Sequence, residues 1–159
     1  MRIIPVPASR RIISENRKAR HEYHFLETYE AGIELKGTEV KSLRNGQANL
    51  QDSFGRVENG EMFIYNMHIS PYEMGNRFNP PPKRPRRLLL HKVEINRIYS
   101  KVREKGLTIV PVKIYFSGSR VKVEIAVAQG KKLHDKRDDM IGKAMQRDAE
   151  RDYKEKLRL

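Results

Sequence analysis

The sequence predicts a mainly β fold, a small antiparallel barrel with a few flanking α-helices and a basic, largely disordered C-terminal tail. Three observations predict it. Two stretches alternate apolar and polar residues around short turn signals, as hairpin strands do. Helical periodicity is confined to short runs between them. Basic residues, 33 Lys plus Arg against 20 Asp plus Glu for a net charge of +13, gather in three segments that carry few acidic residues or little apolar content. With 38% apolar and 33% charged residues, the 159-residue chain cannot bury all of itself. A division follows into a basic arm at 1–12, a barrel core at 13–129 and a basic tail at 130–159.

The first 20 residues carry Arg2, Arg10, Arg11, Arg17, Lys18 and Arg20 against Glu15 alone. Thr38 can cap a short helix that buries Val40 and Leu43 and stops at Asn45-Gly46. Asn59-Gly60 is a hairpin signal, so Leu50 to Glu58 should pair with Met62 to Ile69; there Phe63, Tyr65, Met67 and Ile69 would face one way, and Met62, Ile64, Asn66 and His68 the other. The linker Asn79 to Arg87 (NPPPKRPRR) reads as an extended, mobile loop. Together with its surroundings from 75 to 103 it holds nine basic residues, Arg77, Lys83, Arg84, Arg86, Arg87, Lys92, Arg97, Lys101 and Arg103, against Glu94.

Ile95, Ile98, Tyr99 and Val102 follow the i, i+3, i+4, i+7 spacing of a helix face, with Gly106 as its stop. Val110, Val112, Ile114 and Phe116 then alternate with Pro111, Lys113 and Tyr115. Past Ser117-Gly118-Ser119, Val121, Val123, Ile125 and Val127 alternate with Lys122, Glu124, Ala126 and Ala128. One face should be core and the other should carry Tyr115 and Lys122 outward, with Pro111 at an edge or strand end. Mostly antiparallel strands with few helices suggest a closed barrel of the oligonucleotide-binding type. The tail has ten basic and seven acidic residues, with Ile141, Met145, Ala149, Tyr153 and Leu157 at steps of four. That stripe is too weak for a stable lone helix, so the tail should stay disordered until a partner orders it.

A pI near 10 calls for a polyanionic partner. No run approaches the ~20 apolar residues of a membrane helix, and Ile3 to Ala8 is too short and proline-broken for a signal peptide, so a cytoplasmic protein is expected. The absence of cysteine excludes disulfides, thiolate metal sites and a cysteine nucleophile. His21 and His24 could share a helix face, yet no third metal ligand lies near them. Glu30, Glu34 and Glu39 could be read as a divalent-metal cluster of a nuclease, but local pairing with Lys36 and Lys41 accounts for them more simply. No phosphate loop, dinucleotide fingerprint or nucleophile elbow occurs. The chain thus reads as an RNA-binding protein with no catalytic residues, no metal and no cofactor. A structural ribosomal protein is the alternative.

Four collinear segments carry a family resemblance: NRKARHEYHFLETYEAGIELKGTEVKSLRNGQANLQDS from Asn16 to Ser53, HISPYEMGNRFNP from His68 to Pro80, RRLLLHKVEI from Arg86 to Ile95, and AQGKKLHDKR from Ala128 to Arg137. Together they resemble the bacterial SsrA-binding protein family, small protein B. The resemblance implies an oligonucleotide-binding-like barrel that binds the tRNA-like domain of transfer-messenger RNA and delivers it to the A site of stalled ribosomes for trans-translation. Elongation factor Tu and alanyl-tRNA synthetase would be indirect partners. The family's RNA-contacting surface falls on Asn16, Lys18, His21, Tyr23, Glu30, Glu39, Lys41, Leu89 and Lys122. Its ribosome-directed motif falls on Gly130, Lys131, Lys132, His134, Asp135, Lys136 and Arg137, with His134 toward the decoding centre and the tail toward the messenger channel.

Overall fold

The structure, a computed structural model, describes residues 10–131 and 133–157. Nine strands and four α-helices follow one another: β1 (Arg10–Glu15), α1 (Arg17–Glu22), β2 (Tyr23–Ile33), α2 (Gly37–Arg44), β3 (Ala48–Asn49), β4 (Phe54–Glu58), β5 (Glu61–Tyr65), β6 (His68–Ile69), β7 (Arg86–Leu89), α3 (Lys92–Lys105), β8 (Thr108–Ser117), β9 (Arg120–Gly130) and α4 (Leu133–Leu157). A 3-10 helix, Glu73–Phe78, follows β6. Strands β8, β4, β5, β7, β2 and β9 pair antiparallel in that order, and β9 pairs back onto β8, which closes the expected barrel. The β4–β8 seam rests on one pair, Gly55 opposite Ile109. A Cβ on Gly55 would lie 2.5 Å from Ile109 Cγ2, so only glycine lets the ring close here.

The core is the barrel lumen: Ile33, Met62, Ile64, Leu88, Ile114, Val123 and Ile125, stoppered by Leu43 of α2 and by Ile95 and Ile98 of α3. A second, smaller core lies on the outside. There Ala19 of α1 packs on Val110, Val112, Ala126 and Ala128, with Tyr23 and Phe25 alongside. This explains why β8 and β9 bury residues of both parities at that end, where a barrel strand otherwise alternates.

Several expectations need correction. Strand β1 pairs Arg10, Arg11 and Ile12 with Ser117, Phe116 and Tyr115, so the last three residues of the predicted arm join the sheet; the rest of it, with Arg2 and Ile3 to Ala8, lies outside the described residues. Both hairpins form with the expected turns, yet the apolar alternation after Asn59-Gly60 slips. Asn66 adopts φ 63°, so Met67 and Ile69 are buried together with Met62 and Ile64. The chain then leaves the barrel, and β6 pairs with β3 in a separate two-stranded sheet. Thr38 does not cap α2: Lys36 is the N-cap, its N–H donating to the Glu39 carboxylate at 2.9 Å. Pro111 sits inside β8 at a bulge and not at an edge, where its missing N–H costs no ladder bond. Tyr115 is 2% exposed instead of pointing into solvent.

The largest correction concerns NPPPKRPRR. Its last two residues open β7, and Arg86 is fully buried, donating to Glu39 Oε2 and to the Met67 carbonyl, each at 2.6 Å, and to the Pro82 carbonyl at 3.0 Å. Arg84 adds a 2.6 Å bond to the other Glu39 oxygen. The linker is thereby clamped onto α2. A local reading misses this because the partners are 45 and 47 residues apart. Residues Leu133–Leu157 of the tail form one helix, α4, and every side chain described there is exposed.

Candidate nucleic-acid interface

Gly32 lies at a crossing where β7, β2 and β9 run side by side, with Leu89 opposite it on one flank and Lys122 on the other. Opposed residues of adjacent strands share a face, so both side chains stand on the outside of the barrel. With no side chain between them, Gly32 leaves a shallow trough. A Cβ there would press to 3.2 Å on Leu89 Cβ. Two open grooves of about 830 and 400 Å³ meet at this point and share Gly32, Leu89 and Lys122. Their floor is apolar, through Leu88 and Leu89, and Lys92, Arg120 and Lys122 are basic residues along them. A leucine 46% exposed between lysines suits a ribose or base edge against Leu89 and phosphates on the amines.

Glu30 stands two residues before Gly32 on the same face. Its Oε2 accepts from Arg10 at 3.3 Å and from the Tyr115 hydroxyl. Arg10 also lies over the Tyr115 ring, 5.2 Å from the ring centre, and Lys113 lies 5.9 Å from it. Burial, and then the hydrogen bond to the Glu30 carboxylate, push the Tyr115 hydroxyl well above its ordinary pKa, so it remains a donor. Among the described residues the carboxylate is held through Oε2. The sequence gives no local sign of this arrangement, since Arg10 and Tyr115 lie 20 and 85 residues from Glu30.

The residues around α1 divide. Asn16 is 4% exposed and structural: its Oδ1 caps α1 by accepting from Ala19 N at 3.1 Å, and its Nδ2 donates to the Leu50 and Pro111 carbonyls. Both Nδ2 hydrogens and one lone pair of Oδ1 are thereby used within the protein. Lys18 and His21 are exposed, and Tyr23 is half-buried at the start of β2. Lys18 pairs with Asp52 at 2.9 Å, a bond that raises the pKa of the amine. His24 lies in β2, so the two histidines do not share a helix face.

In α2, Glu39 is 3% exposed and wholly engaged by Arg84, Arg86 and the Lys36 N–H. Burial alone would raise its pKa, but these donors together hold the carboxyl below its usual range. Burial lowers the pKa of Arg86, and Glu39 opposes that shift. Glu39 thus presents no acceptor to a ligand. Lys41 is exposed, its amine 5.5 Å from the centre of the Tyr72 ring. The expected pairing of Glu30, Glu34 and Glu39 with Lys36 and Lys41 is replaced by arginines, Glu34 meeting Arg87 at 2.7 Å.

Gly130 ends β9, and Lys131 N donates to the Glu22 carbonyl at 2.8 Å, which ties the start of the tail to the end of α1. Arg137 is exposed on α4. Lys132 and the side chains of His134, Asp135 and Lys136 lie outside the described residues. Among the described residues no three His, Asp or Glu side chains gather as a metal site, and no helix is long and apolar enough to cross a membrane.

Comparison with known proteins places these features in one family. The family model of the SmpB protein matches residues 13–155. An SsrA-binding protein of Pelotomaculum thermopropionicum is 59% identical over 149 residues, covering 94% of this chain and 97% of its own. One of Desulforamulus reducens is 63% identical over 148 residues, covering 92% of each. A solved chain described under "tmRNA-SmpB: a journey to the center of the bacterial ribosome" superposes with a TM-score of 0.65 at 55% identity, covering 76% of this chain and 85% of that one. A match of that extent, over a barrel with a trough at Gly32 and a basic helical tail, means that this chain belongs to the SmpB family.

Proposed function

We propose that this chain is an RNA-binding adaptor: it binds the tRNA-like domain of transfer-messenger RNA and delivers it to the A site of stalled ribosomes for trans-translation. The observation that carries this reading is identity near 60% over more than nine-tenths of the chain to SsrA-binding proteins. The protein works in the cytoplasm without catalysis of its own. Elongation factor Tu and alanyl-tRNA synthetase act on the RNA it carries.

The work divides along the chain. The core, 13–129, holds the RNA, with Lys122 neutralising phosphate, Leu89 packing on a sugar or base, the second oxygen of Glu30 accepting from a 2′-hydroxyl or base amine, and Lys18, His21, Tyr23 and Lys41 extending the surface. Asn16 and Glu39 serve that surface by fixing α1 and α2. The tail from Gly130 through Arg137 and along α4 engages the decoding centre and the messenger channel. An isolated helix with no buried face is marginal in water, so ribosomal RNA is the partner that holds it.

The test is to capture the full chain from a bacterial lysate and sequence the bound RNA. One dominant tRNA-like RNA is expected. Recovery of ribosomal RNA in stoichiometric amount, with no such species, would make it a structural ribosomal protein instead.

A further inference from the structure

Between α1 and the start of β4 the surface holds a niche of about 190 Å³, separate from the trough at Gly32. Lys18, Glu22 and Tyr23 line one side, and Asp52, Ser53 and Phe54 the other. Three features set it apart. Ser53 is 5% exposed, and its hydroxyl is buried without a hydrogen-bond partner. Natural structures rarely leave such a group unpaired. Phe54 is backed by Tyr65, the rings stacked 5.4 Å apart at 13°, and Tyr65 is itself held by a 2.6 Å bond to Glu58; Phe54 nonetheless remains 38% exposed. Asp52, which carries the Lys18 ion pair at the mouth, turns the chain there through the left-handed region at φ 62°, which Asp adopts more readily than most residues.

The charges decide what enters. Glu22 and Asp52 outnumber Lys18, so the niche repels a phosphate but accepts a neutral, flat heterocycle. We infer that the niche is a receptor for a single unpaired nucleobase, extruded from the bound RNA, which stacks on the backed Phe54 ring beside Tyr23 and takes the Ser53 hydroxyl as its hydrogen-bond partner. This deepens the proposed RNA-binding function and rests on it, adding Ser53 and Phe54 to the surface.

The unpaired hydroxyl makes the idea testable. Removing a buried hydroxyl that has no partner in the protein leaves stability unchanged or raised. Ser53→Ala should therefore keep or raise the melting temperature of the full chain, yet weaken its affinity for a transcribed tRNA-like domain by roughly fivefold to tenfold. Phe54→Leu, which keeps the apolar bulk, should lose about tenfold or more through lost stacking. RNAs abasic at single loop positions identify the base: one of them should bind wild type at least as weakly as intact RNA binds Phe54→Leu, and should lose nothing further with Ser53→Ala. If wild type and both variants bind intact RNA equally, the niche is not a base receptor, although the wider function stands. If wild type itself fails to bind this RNA, the wider function falls, and the niche proposal with it.

Discussion

Glu30 illustrates how a side chain whose role is ambiguous in sequence acquires one through its neighbours. With Oε2 fixed by Arg10 and the Tyr115 hydroxyl, rotation of the carboxylate is suppressed, and Glu30 lines the same groove as Lys122 and Leu89. Tyr115→Phe should cost about 1–2 kcal/mol of stability through the lost charged hydrogen bond and also reduce RNA affinity severalfold. Equilibrium unfolding and gel shift on one preparation check both. Lys122→Ala should behave differently, changing stability by less than about 0.5 kcal/mol while lowering the dependence of log affinity on log salt by roughly one unit. Asn16→Ala is the opposite case. It removes a helix cap and both donors to buried carbonyls, so it should destabilise by about 1–3 kcal/mol, and any binding loss should follow the unfolded fraction. Exposed lysines at the family motif could be read from sequence, whereas the buried state of Asn16 could not, because its partners Leu50 and Pro111 are 34 and 95 residues away.

At the scale of elements, α2 and the proline-rich linker form one unit through Glu39. The linker's basic run reads as phosphate-seeking, but Arg84 and Arg86 face a buried carboxylate and Arg87 bridges Glu34 and Glu61. Alternation and turn residues made both hairpins legible, since those signals are local. An ion pair across 47 residues leaves no periodic trace. Because the folded pKa of Glu39 is depressed, its contribution is fully present above the unfolded carboxylate value of about 4.3 and is lost as pH falls through the lower folded value. Glu39→Gln leaves Arg86 buried without its counter-charge, so it should cost about 3–5 kcal/mol at neutral pH. The gap between variant and wild type should narrow on acidification below about pH 4. Thermal melts of both proteins from neutral to acid pH measure this, and a gap that stayed constant would show that Glu39 is not the titrating group.

For the whole molecule, the closed barrel and its outer α1 layer form one packed unit, whereas α4 has no buried side chain among those described. Removing residues from Asp138 onward should leave the core folded and RNA affinity within about twofold. It should abolish peptide tagging on a stalled ribosome in a reconstituted translation system. Normal tagging by the truncated chain would remove the tail from the account. The central claim, that this surface is built for one tRNA-like RNA and not for polyanions in general, is tested most directly by competition. The full chain is bound to a labelled tRNA-like domain at fixed salt, and unlabelled elongator tRNA or the same domain is titrated against it. The account predicts that the tRNA-like domain competes at least about tenfold better, a preference of roughly 1.4 kcal/mol or more. Equal competition by the two RNAs would contradict it.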